Sequence, residues 1–311
     1  MFLGDHDCSD RQRDGDVPND RCGDAVRVAA AVEVGLLART ALRDGAAGHV
    51  MARFERSFYL TLDGTWICVG QPDIGSGPLH LLGKFDLSRP TIGAAVRVAE
   101  SSLWIAGRPF AKLTSASVWT PAAAPRWSKD TLRRGLRAID EVWSEEITTA
   151  GLAVLGADHA PIAASPLVQA AMPGVAALER ILVDAASDPR VASGLAGLIG
   201  LGPGLTPSGD DLIGGALIAL AALGHTERRD ALWNHCRPLV EHTNDISRAH
   251  LQAAARGYGA AALHAAIHAT MGGEVAKLRQ AVSALTAIGH SSGLDAFAGS
   301  LIVLRHAIRK Q

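Results

Sequence analysis

The sequence predicts an α+β fold class, in which a small strand-rich N-terminal region is followed by a mostly α-helical C-terminal domain. Two short apolar runs, Phe58–Leu62 and Thr65–Val69, flank Asp63-Gly64, a strong signal for a two-residue β-hairpin turn. In the second half of the chain, apolar residues recur almost everywhere at the three- and four-residue spacing of helices. This change in the spacing of apolar residues along the chain is the main evidence for the fold class.

The first third of the chain contains further predicted elements. Apolar residues at helical spacing predict a helix between Asp24 and Arg43, and Gly45 supplies its stop. Leu79–Leu82 and Lys112–Trp119 have the composition of strands, and Thr91–Ala106 between them is predicted to be helical. These elements together predict a compact unit that mixes strands and helices.

The rest of the chain is predicted to be a succession of helices joined by short turns. The predicted helices span residues 129–149, 167–187, 190–200, 207–223, 227–242, 244–257, 259–271, 273–287 and 292–309.

The predicted domain organisation has three parts. Residues 1–23 are polar and Asp-rich, a composition that predicts a disordered tail. Residues 24–125 form the strand-rich region, and residues 126–311 form the helical domain. The Ala/Pro-rich segment Pro121–Pro125 is the predicted linker between these two regions.

Composition excludes several classes of protein. The chain of 311 residues is 48% hydrophobic and 20% charged, with a formal net charge of −1, so no basic surface for nucleic acid or anionic membrane is expected. No apolar run approaches the roughly 20 residues that span a bilayer. The four cysteines lack any C-x-x-C spacing, which is typical of a protein of the reducing cytoplasm.

One motif occurs twice in the helical region. The segments that start at Ser208 and Ser292 both follow the pattern S-G-x-D-x-x-x-G-x-L-I, with six matched positions in eleven. In each copy a Ser can cap a helix, and an acidic residue follows three positions later, as in a capping box. Gly215 and Gly299 then lie inside the two helices, where a glycine costs about 1 kcal/mol relative to Ala. We therefore expect the two helices to cross closely at these glycines, with their N-termini near each other.

The first copy has more than a helix cap requires. Gly200, Gly202 and Gly204 precede it at alternate positions, and Thr206-Pro207 offers a second N-cap with proline at N1. Glycines in this spacing let successive N–H groups converge, and the helix N-terminus adds partial positive charge. The segment therefore predicts a pocket for a small anion such as phosphate, carboxylate or a carbamoyl oxygen. The candidate ligand-binding residues here are Gly202, Gly204, Thr206, Ser208 and Gly209, together with Ser292, Gly293 and Asp295 of the second copy.

Asp210 and Asp211 complicate a simple anion site, because two carboxylates would repel an anionic ligand at close range. One Asp could face away and stabilise the helix dipole, or a cation such as Mg²⁺ could bridge it to the anion. An Asp could instead accept hydrogen bonds from an amide or ammonium group of the ligand. The sequence leaves these alternatives open, and no cofactor is assigned.

Other polar residues are candidates for the same pocket. Thr243 can cap the helix that follows it, which would put Ser247 and Arg248 in the first helical turn. Arg248 could bind a carboxylate or phosphate in a bidentate contact, or it could be an ordinary surface residue. His290 directly precedes the second Ser-Gly motif, where a turn would expose it to the pocket. The candidate catalytic residues are Asp210, Asp211 and His290.

These residues resemble a known family. The segment Gly200–Asp211, then Thr243 with Ser247, then Gly289–Asp295, is similar to the three signature blocks of the AllH-like family. The first block is highly specific, whereas the other two would be weak alone. The sequence has Ser291 after His290, where many members have His-Thr.

The resemblance implies a role in bacterial oxamate carbamoyltransferase of allantoin catabolism, which transfers a carbamoyl group between oxalurate and phosphate. The implied ligand is a small anion such as carbamoyl phosphate or oxamate. Because several different subunits are associated with that activity in the family, other protein subunits are the implied partners. Two alternatives stay open: a non-catalytic assembly or regulatory subunit that binds a small anion, and a small-molecule phosphotransferase.

Overall fold

A computed structural model describes residues 28–146, 151–157, 165–184 and 189–309 of the chain. The tail predicted over residues 1–23 lies outside the described residues. The strands of the N-terminal part are β1 (Ala29–Gly35), β2 (Ala47–Arg53), β3 (Ser57–Leu62), β4 (Thr65–Gly70), β5 (His80–Gly83), β6 (Ala95–Ala99), β7 (Ser102–Ile105), β8 (Arg108–Lys112) and β9 (Ser117–Trp119).

Eight of these strands form a closed β-barrel. Their order around it is β5-β4-β3-β2-β6-β7-β8-β1, and β1 closes the ring by pairing antiparallel with β5, for example Val34 with Leu81. Strand β9 adds to this ring by pairing in parallel with β1. Every second residue of the strands points inward, and Phe58, Leu60 and Leu103 are fully buried in the barrel core.

The predicted fold class is therefore wrong for the N-terminal region, which is a closed barrel rather than a small unit of mixed strands and helices. The segment Thr91–Ala106 was expected to be a helix, but it contains β6 and β7. Its buried residues alternate, since Val96 and Val98 point inward while Arg97 lies outside, 4.6 Å above the Trp104 ring.

The helix expected between Asp24 and Arg43 is also wrong over its first half. The strand β1 occupies Ala29–Gly35, because this segment pairs with β5, β8 and β9. A short helix, α1 (Leu36–Ala41), follows it. Local apolar spacing was overridden here by pairing with distant strands.

The predicted hairpin is confirmed, and so is the helical character of the second half of the chain, although the helices predicted over 190–200 and 227–242 end earlier, at Ala196 and Cys236. Strands β3 and β4 pair antiparallel around Asp63-Gly64, from Leu62 opposite Thr65 to Ser57 opposite Gly70. The helices are α2 (Lys129–Glu146), α3 (Pro166–Val183), α4 (Pro189–Ala196), α5 (Ser208–Ala222), α6 (Thr226–Cys236), α7 (Asp245–Ala255), α8 (Ala261–Gly272), α9 (Val275–Thr286) and α10 (Ser292–Arg309). Shorter 3₁₀ turns lie at Pro72–Ile74, Ala153–Gly156 and Arg237–His242.

The barrel and the helices have separate apolar cores and meet along one face. A small cluster joins them, in which Leu37 and Leu79 of the barrel pack with Ala253 of α7. A backbone hydrogen bond of 2.9 Å runs from the N–H of Ala261 to the carbonyl oxygen of Ser76. The division of the chain into domains at Pro121–Pro125 stays a prediction.

Among the described residues, α3 (Pro166–Val183) is the one helix long and apolar enough to cross a membrane by length and composition alone. Buried residues make up 44% of its apolar window, and core helices pass the same test, so this feature is weak evidence for a membrane span.

Candidate functional site

The two helices that carry the repeated motif cross at their glycines. A Cβ atom on Gly215 of α5 would lie 1.6 Å from the carbonyl oxygen of Ala296, and one on Gly299 of α10 would lie 1.9 Å from that of Leu212. No other residue could occupy either position without moving the opposite backbone. The contact is reciprocal, since each glycine meets the residue three positions before the other one. The close crossing expected from the sequence is therefore present.

The glycines at the helix starts are held in the same way. A Cβ atom on Gly209 would lie 2.0 Å from the carbonyl oxygen of Leu198, and one on Gly293 would lie 2.2 Å from that of Leu285. Both helix starts are therefore packed tightly against the preceding turn of chain. These two candidate ligand-binding glycines allow close packing, which alone accounts for the absence of a side chain.

Both carboxylate oxygens of Asp210 accept hydrogen bonds from the protein. Its Oδ1 atom accepts a hydrogen bond of 2.8 Å from the N–H of Gly200, and its Oδ2 atom accepts bonds from the hydroxyls of Thr243 (2.5 Å) and Ser247 (2.6 Å). The carboxylate thus ties the glycine-rich loop to the start of α7. The cap of α7 is Asn244, whose side chain accepts from the Ser247 N–H, so the expectation of Thr243 as the cap was wrong.

Asp211 lines the cavity described below, as Asp210 does, but its carboxyl group differs from that of Asp210 in its partners. Its Oδ2 atom is buried and has no hydrogen-bond partner within the described residues. The hydroxyls of Thr206 and Ser292 lie beside it and hydrogen bond each other at 2.6 Å. Burial raises the pKa of Asp211 well above its ordinary value; the Ser292 hydroxyl lowers this pKa, and the charge of Asp295 raises it.

Asp295 is the counterpart of Asp211 in the second motif, and it is sealed inside the protein. Its Oδ1 atom accepts a 2.6 Å hydrogen bond from the N–H of Leu152, and a Cβ atom on Gly151 would lie 2.4 Å from the same oxygen. Burial raises the pKa of Asp295, against the nearby Ser208 hydroxyl, which lowers it. Of two related carboxyls, one is therefore covered by the chain and the other borders a cavity.

The loop before α5 exposes backbone donors. Gly202 and Gly204 have φ angles of +109° and +101°, which only glycine adopts readily. Within the described part of the chain, the N–H groups of Gly204, Leu205 and Thr206 donate to no acceptor. Ser208 is the first residue of α5 and its hydroxyl caps nothing, which corrects its predicted role as an N-cap.

A cavity of about 770 Å³ lies between this loop and the barrel. Its helical side includes Thr206, Asp211, Ser292 and the exposed ring of His290, as the sequence led us to expect for one pocket. Its other side is the wall of the barrel.

The barrel wall contributes a cluster of neutral polar side chains, made of Tyr59, Cys68 and His80, with His250 of α7 beside them. The Tyr59 hydroxyl and His250 Nε2 are 3.4 Å apart. Burial raises the pKa of Tyr59, as do Cys68 and the Asp211 charge, and burial raises the pKa of Cys68 to about 11. Burial lowers the pKa of His250 to about 4 and also lowers the pKa of His80. All four groups are thus uncharged near neutral pH.

Sequence reasoning missed these four residues. Tyr59 and Cys68 lie opposite each other in the β3–β4 hairpin, whose pairing the sequence did predict. That pairing was the only available signal, because the approach of the hairpin to α7 depends on the packing of the barrel against the helices.

Arg248 does not join the cavity. It forms ion pairs with Glu241, at 2.9 Å, and with Asp245 on the surface. Among the described residues that line the cavity, Arg56 alone carries a guanidinium group, and it pairs with Asp73 at 2.8 Å. Any anion at the described residues of this cavity would be held mainly by N–H and hydroxyl donors.

No group of three or more His, Cys, Asp or Glu side chains that could hold a metal ion occurs in the described ranges.

A family model described as oxamate carbamoyltransferase subunit AllH matches residues 198–304. This confirms the AllH-like resemblance over a segment that contains the glycine-rich loop and both motif helix starts. The barrel lies outside the matched residues. No solved structure matches the chain.

Proposed function

We propose that this chain is a subunit of an oxamate carbamoyltransferase-type enzyme. In this proposal its cavity binds a small carbamoyl, phosphate or carboxylate ligand at the paired N-termini of α5 and α10. One observation carries the proposal: Asp211, whose Oδ2 atom is buried and has no partner among the described residues, lines a cavity beside a loop of N–H donors that are free within the same residues. These groups lie in the segment that the family model matches.

The loop supplies the anion end of the site. The N–H groups of Gly204, Leu205 and Thr206 have no acceptor within the described residues, and the partial positive charge of the α5 N-terminus adds to their attraction. Fixed donors of this kind stabilise an oxyanion without reorganisation, which favours charge that develops during acyl or carbamoyl transfer.

Asp211 acts as a hydrogen-bond donor in its neutral form. Burial raises its pKa, so the carboxyl group retains its proton at pH values where an exposed Asp is ionised. A neutral carboxyl group does not repel an anion and can donate to a carbonyl or phosphate oxygen. Asp210, whose oxygens are already occupied, positions the loop and does not contact the ligand.

The reaction we propose for the complete enzyme moves a carbamoyl group between oxalurate and phosphate. The bond between the carbamoyl carbon and the oxamate nitrogen breaks, a bond from that carbon to a phosphate oxygen forms, and the nitrogen takes a proton. The loop would hold the anionic oxygens, and Asp211 or the exposed His290 at the rim would orient the nitrogen. We place this activity in the cytoplasm, in a complex with other protein subunits.

A non-catalytic, anion-binding subunit is the second candidate. The paired state of Arg56 favours it, because among the described residues no unpaired Arg or Lys borders the cavity to balance the charge of a phosphate group. In that case the chain would bind a small anion and act on its partner subunits.

Ligand-induced stabilisation tests the proposal. The melting temperature of the full chain is measured with carbamoyl phosphate, phosphate, oxamate and ATP, each with and without Mg²⁺. Oxamate or carbamoyl phosphate should raise it in the wild type, and Thr206→Val should abolish the rise. Asp130→Asn changes an exposed carboxylate on α2 and serves as the matched control.

The outcomes separate the candidates. If no ligand raises the melting temperature, the chain has no such ligand site. A rise with ATP and Mg²⁺ alone would favour a phosphotransferase. In a third outcome, a ligand raises the melting temperature while no carbamoyl transfer is detected, even after partner subunits are added. That combination would favour the non-catalytic subunit.

A further inference from the structure

The ring of His80 is held in one tautomer. Its Nδ1 atom lies 2.8 Å from the carbonyl oxygen of Gly75, and because a carbonyl only accepts, Nδ1 carries the proton. Burial lowers the pKa of His80, so the ring stays neutral and Nε2 keeps a free lone pair. Gly77 packs against the ring, so that a Cβ atom there would lie 2.9 Å from Cε1. The ring is therefore fixed in its tautomer and orientation.

This lone pair has no hydrogen-bond partner within the described residues, and His80 borders the cavity. Its neighbours there are also uncharged, since His250 has a pKa of about 4 and Tyr59 keeps its phenolic proton. A fixed acceptor among neutral groups suits a neutral N–H donor better than a second anion, because an anionic oxygen would meet no opposite charge.

The two ends of the cavity thus differ in what they offer. The loop before α5 presents N–H donors, whereas the barrel wall presents the Nε2 acceptor of His80. Asp211 and Tyr59, which lie on these two sides, are close enough for the ionised form of Asp211 to raise the pKa of Tyr59. A ligand that fits both ends carries an anionic group at one side and N–H donors at the other.

We propose that His80 is a specificity-determining residue, whose Nε2 atom accepts a hydrogen bond from an amide or carbamoyl N–H of a small carboxylate ligand. This inference rests on the proposed function, which places the anionic group of the same ligand at the α5 N-terminus. It extends the site to the barrel, beyond residues 198–304 of the family match.

The test compares two ligands of nearly equal shape, oxamate and pyruvate, which differ by an amide NH₂ in place of a methyl group. Dissociation constants are measured by calorimetry on the full chain. The wild type should prefer oxamate by about five- to tenfold, the effect of one neutral hydrogen bond. His80→Ala should weaken oxamate to the level of pyruvate and leave pyruvate unchanged.

Two further variants guard against a merely structural effect. His80→Gln keeps a side-chain acceptor oxygen and should recover part of the preference for oxamate. His49→Ala changes an exposed barrel histidine and should leave both constants unchanged.

Each remaining result overturns the inference. Equal binding of the two ligands by the wild type, or an equal loss of both in His80→Ala, contradicts the role of His80 while the proposed function stands. Failure of the wild type to bind either ligand removes this inference, and the proposed function falls with it only if carbamoyl phosphate and phosphate also leave the melting temperature unchanged.

Discussion

Gly215 lies so close to Ala296 that a Cβ atom on the glycine would sit 1.6 Å from the Ala296 carbonyl oxygen. The reciprocal contact of Gly299 with Leu212 makes the crossing of α5 and α10 nearly symmetric. This crossing brings the Thr206 and Ser292 hydroxyls within 2.6 Å of each other, next to Asp211. The geometry of the site therefore depends on two positions that lack a side chain.

Gly215→Ala should destabilise the protein by about 1–3 kcal/mol or more, because its Cβ atom displaces a backbone rather than a flexible side chain. Gly214→Ala is the matched control, since its Cβ atom meets only the Ala254 Cβ at 3.7 Å. Alanine is the better helix former, so this control should be neutral or more stable by up to about 1 kcal/mol. Urea unfolding measures the stability of both variants. An equal change in stability for Gly215→Ala and Gly214→Ala would contradict the close crossing.

Asp210→Ala should cost about 3 kcal/mol, since it leaves the N–H of Gly200 and two hydroxyl groups without their acceptor. Asp210→Asn should cost less, because one amide oxygen can still accept from Gly200 and the hydroxyls can rotate to accept from the NH₂ group. Chemical denaturation gives both values. A loss of ligand binding in Asp210→Asn at unchanged stability would indicate that Asp210 contacts the ligand.

The pKa of Asp211 is raised in the folded protein, so its contribution to stability is fully present below the unfolded pKa of about 3.9 and is lost as pH rises through the folded pKa. Asp211→Asn cannot ionise. Its melting temperature relative to wild type should therefore increase from about pH 4 upward and level off above the folded-state pKa.

Asp295 and Asp210 also face Asp211, and the loss of its charge relieves their repulsion in the same direction. Thermal melts over a pH series measure the difference between variant and wild type. Asp130→Asn removes an exposed carboxyl group and serves as the control. A flat difference for Asp211→Asn would rule out a raised pKa.

Arg248→Ala should leave the affinity for oxamate within twofold of wild type, because its guanidinium pairs with Glu241 and Asp245 outside the cavity. Such partly exposed ion pairs contribute about 0–1 kcal/mol, so stability should change little. Calorimetric titration checks the affinity. A tenfold or greater loss would return Arg248 to the list of ligand contacts.

The helical half of the site could be predicted from the sequence because its information is local. The repeated motif places a glycine at the same position of two helices, and spacing alone indicated that Gly215 and Gly299 face a backbone. The sequence did not reveal that Asp210 accepts hydrogen bonds from Thr243 and Ser247, because these bonds join segments more than thirty residues apart.

The barrel could not be predicted in the same way. The strands β6 and β7 are only five and four residues long, and two short strands in succession can imitate helical spacing. Closure depends on the pairing of β1 with β5, which no local pattern encodes. The cluster of Tyr59, His80 and His250 requires both this closure and the packing of the barrel on α7, so its members were absent from the predicted site.

A crystal structure of the full chain with oxamate would test the central claim most directly. We predict oxamate in the cavity, with its carboxylate on the N–H groups of Gly204, Leu205 and Thr206 and within hydrogen-bond distance of Asp211. Oxamate bound at any other place, or an empty cavity at a concentration that raises the melting temperature, would contradict the account.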